Sequence, residues 1–303
     1  MIHFPEIQSK IEFLQKKNRV ELFILREDEI HPSISGNKFR KLKYNLEAFS
    51  NGNYNAILTF GGAYSNHISA TAAAGKEFGI RTIGIIRGEE LAEKTTQNPT
   101  LTFARNCGME LKFISREQYR NKANPDFLNE LKSEFGNIYI LPEGGTNERA
   151  VKGCEEILGK HTQEFDFICC PVGTGGTISG IINSAENHQK ILGFPALKDS
   201  DFLNDEIKKH TKRSNFELIQ DFHFGGYAKT TSELLEFINV FKDEFDVTLD
   251  AVYTGKMMFG IYQLIQNGFF QEGSKILAIH TGGIQGNDGM NQKLKHIKKT
   301  IIR

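Results

Sequence analysis

Short apolar segments alternate with helix-length segments over most of this 303-residue chain, and this alternation restricts the fold more than any other feature. Each apolar segment has the length of a strand, and each gap to the next can hold a crossover helix. This rhythm is typical of a parallel sheet covered by helices, so the sequence predicts the α/β class. The strands predicted in the first series span residues 56–60, 82–87, 110–115 and 137–141.

A second series of predicted strands spans residues 165–170, 216–220, 251–253 and 275–280. The two series are separated by residues 142–147, which are rich in turn-forming residues, so we expect two sheets with a crossing near this segment. A helix is predicted around residues 68–78, and another begins with Asn98 as the N-cap and Pro99 at the first helical position. The basic segment 293–303 is interpreted as a solvated terminal helix.

Composition favours a small molecule as the partner. The 37 basic residues balance the 37 acidic residues, so nothing in the totals points to nucleic acid or to an anionic membrane. No signal peptide or transmembrane segment is recognisable, which predicts a cytoplasmic protein. The four cysteines have neither zinc-ligand spacing nor the density of a disulfide scaffold, so we expect reduced, mostly buried thiols and no metal site.

Two lysines lie on one stripe of the helix predicted to begin in the segment SGNKFRKL, residues 35–42. Helical spacing places Lys38 and Lys41 beside each other, next to the apolar face, with Asn37 expected as the N-cap. A second ammonium group and a helix N-terminus both favour loss of a proton from Lys38, which would make its amine a nucleophile for carbonyl compounds. The alternative is an ordinary solvated basic face.

A glycine-rich turn follows the apolar segment that ends in Pro171 and Val172. The residues Gly173, Thr174, Gly175, Gly176 and Thr177 would bring backbone N–H groups and two hydroxyls together at a helix N-terminus, an arrangement that binds phosphate. The turn lacks the Gly-Lys-Ser/Thr ending of the Walker loop and the third glycine of the dinucleotide fingerprint, so nucleotide binding is disfavoured. The alternative is a merely tight turn.

A second turn of this kind, residues 60–67, ends in Ser65, Asn66 and His67. These polar groups at a helix N-terminus are better suited to a carboxylate than to another phosphate. The alternative is a simple N-cap at Ser65 or Asn66.

Tyrosines and threonines follow the last predicted strands and turns. Tyr227, Tyr253, Thr254 and Thr281 would lie at the carboxyl ends of parallel strands, where ligands bind in open α/β sheets. A structural role is the alternative for either tyrosine.

The chain resembles the fold-type II pyridoxal-phosphate enzymes, in particular the family of D-cysteine desulfhydrase and 1-aminocyclopropane-1-carboxylate (ACC) deaminase. Six segments carry the resemblance in the family's order: SGNKFRKL, GGAYSNH, LPEGGTN, VGTGGT, LDAVYTGK and HTGG. The resemblance implies the tryptophan synthase β-like fold, which has two open, twisted, mostly parallel sheets flanked by helices, and the cofactor pyridoxal 5′-phosphate. It also implies a large domain (1–50 and 146–303), a smaller inserted domain (51–145), and a homodimer.

The same resemblance implies a role for each candidate residue. Lys38 would bind the cofactor as a Schiff base and act as the catalytic base, while Lys41 and residues 173–177 would hold the phosphate. Asn66 would contact the phenolic oxygen of the cofactor, and Ser65, Asn66, His67 and Tyr253 would bind the substrate. Ser65, Tyr227 and Tyr253 would act in catalysis, and Thr254 or Thr281 would contact the pyridine nitrogen.

Two positions depart from the deaminase pattern. Thr254 stands where the deaminases carry a glutamate, and Thr281 stands where they carry a leucine. A hydroxyl cannot hold a pyridinium as a carboxylate can. The sequence therefore favours β-elimination of a small D-amino acid, D-cysteine to pyruvate, ammonia and hydrogen sulfide. The alternatives are an ACC deaminase that gives 2-oxobutanoate and ammonia, another pyridoxal-phosphate lyase or racemase, and a non-catalytic cofactor carrier or ligand sensor.

Overall fold

Ten strands form two sheets, and each predicted series contributes to a different one. The computed structural model describes residues 4, 5 and 7–303. The strands are Ile11–Lys17 (β1), Val20–Leu25 (β2), Ala56–Gly61 (β3), Thr82–Arg87 (β4), Glu110–Ile114 (β5), Ile138–Leu141 (β6), Phe167–Val172 (β7), Lys190–Pro195 (β8), Phe216–Leu218 (β9) and Lys275–Ile279 (β10). One sheet has the order β1-β2-β10-β7-β8-β9, and the other has the order β5-β4-β3-β6.

Helices cover both sheets, which is why the inner strands β3, β4, β7 and β10 are buried along nearly their whole length, while the edge strands β1, β5 and β9 carry exposed polar residues. Only β1 and β2 pair antiparallel, and every other strand pair in the described part of the chain is parallel. The α/β prediction is therefore confirmed. The helices are Asn37–Asn51 (α1), Asn66–Phe78 (α2), Pro99–Asn106 (α3), Arg116–Arg120 (α4), Pro125–Phe135 (α5), Glu148–Cys154 (α6), Gly176–Ser184 (α7), Phe202–Lys208 (α8), Ser232–Phe245 (α9), Thr254–Gln266 (α10) and Gly286–His296 (α11).

Three strands were missed by the sequence patterns, and one predicted strand is wrong. The hairpin β1–β2 turns at Asn18 and Arg19, both with positive φ, and β8 was missed as well. Residues 251–253 form a turn because the Asp250 carboxylate accepts hydrogen bonds from the backbone N–H groups of Val252, Tyr253 and Thr254. These bonds turn the chain directly into α10.

The C-terminal segment is not one solvated helix. Helix α11 ends at His296, and Lys298 then takes a positive φ. The chain returns to the large core, where Ile302 is buried and exchanges backbone hydrogen bonds with the Asn291 side chain. The domain boundaries near residues 50 and 145 stay predictions.

Helix α1 lies between the two sheets. Phe39, Leu42 and Leu46 pack against Ile57 of β3 and Leu141 of β6, in the core of the four-stranded sheet. On its other side α1 packs against α6 so closely that a Cβ at Gly153 would collide with the backbone of Arg40. Lys38 and Lys41 of α1 therefore reach the space between the sheets.

A buried ion pair fixes the orientation of α1. Arg40, in its first turns, donates to both carboxylate oxygens of Glu27, at 3.0 and 2.9 Å, and the hydroxyl of Ser9 donates to the same carboxylate. Glu27 is fully buried and Arg40 is 3% exposed. Loss of one partner would leave a buried charge without compensation, which costs far more than the loss of an exposed pair.

We predict that Arg40→Met lowers the free energy of unfolding by about 3–5 kcal/mol. The matched control is Arg81→Met, because Arg81 pairs with Glu110 while both side chains are about half exposed, and it should cost at most about 1 kcal/mol. Urea unfolding at pH 7 measures both losses. Equal losses in the two variants would contradict this role for the Arg40–Glu27 pair.

Candidate active site

A single cavity of about 1050 Å³ brings most of the predicted site residues together, at the carboxyl ends of β3, β4, β7 and β10. Ligand sites in parallel sheets occupy this position. Gly176 and Thr254 do not line the cavity. The predicted residues that do are Lys38, Lys41, Ser65, Asn66, His67, Gly173, Thr174, Gly175, Thr177, Tyr227, Tyr253 and Thr281.

The start of α1 differs from the prediction. Gly36, not Asn37, is the N-cap, with φ of +61°, and a Cβ there would collide with the carbonyl group of Thr281. Asn37 is the first helical residue. Its backbone N–H donates to the Thr281 carbonyl at 3.1 Å, and its side-chain amide donates to the Thr177 hydroxyl at 2.8 Å. The lysine helix is thereby tied to both the predicted phosphate loop and the end of β10.

Lys38 and Lys41 converge on one acceptor, the carbonyl oxygen of Gly144. The distances are 3.3 Å from Lys38 Nζ and 2.9 Å from Lys41 Nζ, and Lys41 also donates to the Thr146 hydroxyl at 2.9 Å. Burial, together with the charge of Lys41, lowers the pKa of Lys38 well below its ordinary value, and burial lowers the pKa of Lys41 to about 8. The stripe is therefore not a solvated basic face, and Lys38 has the properties of a nucleophilic amine.

The predicted phosphate loop lies at the N-terminus of α7. The first N–H groups of a helix have no partners within the helix, and Gly175, with φ of +85°, directs the chain into this turn. A Cβ at Gly176 would lie 2.7 Å from the Thr146 hydroxyl and 3.2 Å from Lys41 Nζ. Only glycine at this position lets the ammonium group of Lys41 approach the loop, so a cation and a helix N-terminus meet here.

The second loop combines a capping role with access to the cavity. Ser65 is the N-cap of α2, and its hydroxyl accepts from the N–H of Ile68 at 3.3 Å, as the simple alternative expects. The Asn66 side chain lines the cavity and accepts from the Gln285 amide at 2.8 Å. Both residues still stand at a helix N-terminus that opens into the cavity, a suitable place for a carboxylate.

The His67 side chain lines the cavity and binds Thr59 through Nε2, and its predicted contact with the substrate stays a prediction. The Thr59 hydroxyl donates to the carbonyl of Leu141, so at 2.8 Å it must accept from the Nε2–H of His67. Burial and the charges of the two lysines hold the pKa of His67 well below its ordinary value. The ring is therefore neutral, and its buried, unpartnered Nδ1 carries no proton. The His67 side chain can accept a hydrogen bond but cannot donate one to a carboxylate from Nδ1.

Two phenols face each other at the end of the cavity. The rings of Tyr227 and Tyr253 are 6.1 Å apart in an edge-on arrangement. Burial raises the pKa of both, and that of Tyr253 well above its ordinary value. Both side chains are therefore protonated at neutral pH and can donate a proton.

The two predicted threonines have different environments. The Thr254 hydroxyl is fully buried and donates to the Asp250 carboxylate at 2.7 Å, so Asp250 and not Thr254 reaches the cavity. Thr281 follows β10 and lines the cavity. The geometry is therefore against Thr254, and in favour of Thr281, as the hydroxyl that can meet a ligand.

Comparison with known proteins assigns this chain to a family. Residues 9–282 match the family described as "Pyridoxal-phosphate dependent enzyme". The chain belongs to this family.

Several of the matched proteins carry names of the predicted branch of that family. A mitochondrial protein of Arabidopsis thaliana, named bifunctional D-cysteine desulfhydrase/1-aminocyclopropane-1-carboxylate deaminase, is 31% identical over 89% of this chain and 74% of its own length. A 1-aminocyclopropane-1-carboxylate deaminase of Bradyrhizobium diazoefficiens is 25% identical over 94% of each chain. A crystal structure titled as an ACC deaminase homologue covers 96% of this chain and 94% of its own, with a TM-score of 0.81 and 27% identity. The fold-type II architecture and the enzyme class predicted from the sequence are confirmed.

Pyridoxal phosphate fits the residues that the cavity presents. An aldehyde needs an amine that is not fully protonated, and Lys38 supplies one. A phosphate needs converging N–H groups and a cation, and residues 173–177 with Lys41 supply them. The individual residue assignments stay predictions.

Sequence patterns missed several residues of the cavity wall. Gly144 lines the cavity, and both Gly144 and Thr146 accept hydrogen bonds from Lys41. They lie in the segment LPEGGTN, which carried the resemblance and the expected crossing but received no role at the site. Tyr119 donates to Glu143 at 2.8 Å at the cavity wall. Its only sequence signal was an aromatic residue in a polar helix, which is too common to be informative.

The cysteines are free, and Cys154, Cys169 and Cys170 are buried, as predicted. Among the described residues no cluster could hold a metal ion. Over the same residues no helix is both long and apolar enough to cross a membrane. The cytoplasmic location and the homodimer stay predictions.

We predict that borohydride reduction of the cofactor-loaded protein attaches the pyridoxyl group to Lys38, because its pKa is lowered the most on this helix stripe. Peptide mapping by mass spectrometry identifies the labelled lysine. Lys38→Ala should remove the label while Lys41 stays unmodified. A label on Lys41 in the wild-type protein would reverse the assignment of the two lysines.

We also predict that Gly176→Ala weakens retention of pyridoxal phosphate at least about tenfold, because the added methyl group displaces the Lys41 ammonium group and a charge-assisted hydrogen bond contributes about 1.5–3 kcal/mol. Cofactor absorbance after dialysis measures retention. Ser184→Ala is the control, since Ser184 lies at the far end of the same helix. Equal retention in the two variants would show that Lys41 does not act through this loop.

Proposed function

We propose that this enzyme eliminates the β-substituent of small D-amino acids, and that it converts D-cysteine to pyruvate, ammonia and hydrogen sulfide. Bound pyridoxal phosphate supplies an electron sink for negative charge at Cα. The observation that carries the choice of reaction is the hydroxyl of Thr281 at the end of β10. A hydroxyl beside the pyridine nitrogen would not keep that nitrogen protonated, so the cofactor would be a weaker electron sink. A weaker sink still suffices when the leaving group is a good one, such as a thiolate.

The nearby carboxylate does not replace the missing glutamate. Asp250 Oδ1 accepts from the N–H groups of Val252 and Tyr253, and Oδ2 accepts from the N–H and the hydroxyl of Thr254, all at 2.7–2.8 Å. With these four bonds, both carboxylate oxygens of Asp250 already accept hydrogen bonds from the N-terminus of α10. This geometry supports Thr281 as the partner of the pyridine nitrogen.

The remaining groups have roles that follow from their protonation states. The substrate carboxylate binds at the N-terminus of α2, beside Ser65 and Asn66. The Lys38 amine, whose pKa is lowered by burial and by the charge of Lys41, removes the proton from Cα. Tyr253 is protonated and donates its proton to the departing sulfur, with Tyr227 beside it. Water then replaces the amine, which gives pyruvate and ammonia.

ACC deamination to 2-oxobutanoate and ammonia is the second candidate. It is favoured by the name of the Bradyrhizobium relative and by the bifunctional name of the Arabidopsis protein. ACC has no hydrogen on Cα, so ring opening needs a stronger electron sink or attack on the ring. A non-catalytic carrier is disfavoured because the Lys38 amine of lowered pKa and both protonated phenols surround one cavity.

We predict that the purified holoenzyme releases pyruvate and sulfide from D-cysteine at least about tenfold faster than it forms 2-oxobutanoate from ACC. L-Cysteine is the control for stereochemistry, and Lys38→Ala is the control for contamination. Lactate dehydrogenase coupling measures pyruvate, and methylene blue measures sulfide. Faster turnover of ACC than of D-cysteine would replace this proposal with the deaminase.

A further inference from the structure

Arg87 is a cation of the active-site cavity that none of the roles above uses. It ends β4 and is exposed, and its guanidinium group lies over the Tyr119 ring at 5.7 Å. Arg81 at the other end of this strand region pairs with Glu110, and Arg116 nearby pairs with Glu90. In contrast, no carboxylate in the described part of the chain pairs with Arg87.

The Arg87 side chain adjoins the loop that the proposed function assigns to the substrate carboxylate. A Cβ placed on Gly62 would lie 3.5 Å from Arg87 Nη2. Gly62 is three residues before Ser65, which caps α2. The guanidinium group is thus beside the substrate loop and also close to the phenols. Burial raises the pKa of Tyr119 and of Tyr227, and the charge of Arg87 opposes part of that effect on each.

The cavity as a whole carries an excess of positively charged side chains, as Arg87 itself does. Its described lining residues include seven lysines and arginines but only two carboxylates. Glu143 is bound by the Tyr119 hydroxyl and lies 3.4 Å from Lys122, and Asp250 is bound by the N-terminus of α10. Lys38 and Lys41 account for the cofactor, and a helix N-terminus is available for the α-carboxylate. Arg87 is therefore a cation that neither the cofactor nor the α-carboxylate requires.

We propose that Arg87 can bind a second anionic group, carried by the side chain of the substrate, and that the enzyme acts on D-amino acids with an acidic β-substituent in addition to D-cysteine. This inference rests on the proposed function. Guanidinium binds carboxylate and phosphate through two parallel hydrogen bonds, which makes Arg87 a specificity-determining residue. The cavity volume of about 1050 Å³ leaves room for such a side chain beside the cofactor.

The same arrangement would assist elimination when the leaving group itself is the anion. With O-phospho-D-serine, Lys38 would take the proton from Cα, and the Cβ–O bond would break with its electron pair remaining on the phosphate oxygen. Water would then replace the amine, giving pyruvate, ammonia and inorganic phosphate. Arg87 would stabilise the negative charge on the departing group.

The test compares two ligands of nearly equal shape that have no leaving group on Cβ, D-glutamate and D-glutamine. Calorimetric titration of the holoenzyme measures their dissociation constants without any need for turnover. We expect D-glutamate to bind at least about tenfold more tightly than D-glutamine, the range of one charge-assisted pair. Arg87→Gln should abolish this difference, and Arg87→Lys should restore part of it. Arg116→Gln is the control, because Arg116 lines the same cavity but pairs with Glu90.

Two results would overturn the inference. Equal affinity of the wild-type holoenzyme for D-glutamate and D-glutamine would show that no second anion is recognised, whether or not the Arg87 variants fold. Equal weakening of both ligands by Arg87→Gln would assign Arg87 to the α-carboxylate instead. Failure to release pyruvate from D-cysteine would remove the proposed function, yet a preference for D-glutamate that depends on Arg87 would still stand.

Discussion

The carbonyl oxygen of Gly144 is the acceptor on which the active site depends. It receives hydrogen bonds from Lys38 and Lys41, which are one helical turn apart on α1. Gly144 lies where the chain returns from the four-stranded sheet to the six-stranded sheet, and α1 packs between those sheets. One backbone oxygen therefore joins the two halves of the cavity and holds two lysine side chains in a site that lowers the pKa of both.

Burial, more than any single charge, sets the chemistry of this site. It lowers the pKa of Lys38 and His67 and raises that of Tyr227 and Tyr253, so an amine that loses its proton readily shares one cavity with two protonated phenols. The packing of α1 and the buried Arg40–Glu27 ion pair hold the lysine helix in this position. A pyridoxal-phosphate enzyme needs this combination, because the cofactor supplies the electron sink and the protein supplies only proton transfer and orientation.

The features that could be predicted are those determined by residues close together in the sequence. The apolar segments predicted β3 to β6, the glycine-rich turn predicted the start of α7, and the lysine stripe predicted two lysines that line the cavity. Features that depend on distant contacts could not be predicted. Gly36 replaces Asn37 as the cap because the Thr281 backbone leaves no room for a side chain, and Thr254 is withdrawn from the cavity by Asp250. The cavity positions of Tyr119 and Arg87 likewise required the three-dimensional packing of α4 and β4.

The most direct test of this account is a measurement of the pKa of Lys38 in the apoenzyme, by NMR of ¹⁵N-labelled lysine side chains assigned with Lys38→Ala. The account predicts a value well below the ordinary lysine value, because burial and the Lys41 charge both act on this amine. It also predicts that Lys41→Met raises the pKa of Lys38, since one of the two causes is removed. A Lys38 pKa near 10.5 that does not respond to Lys41→Met would contradict the account.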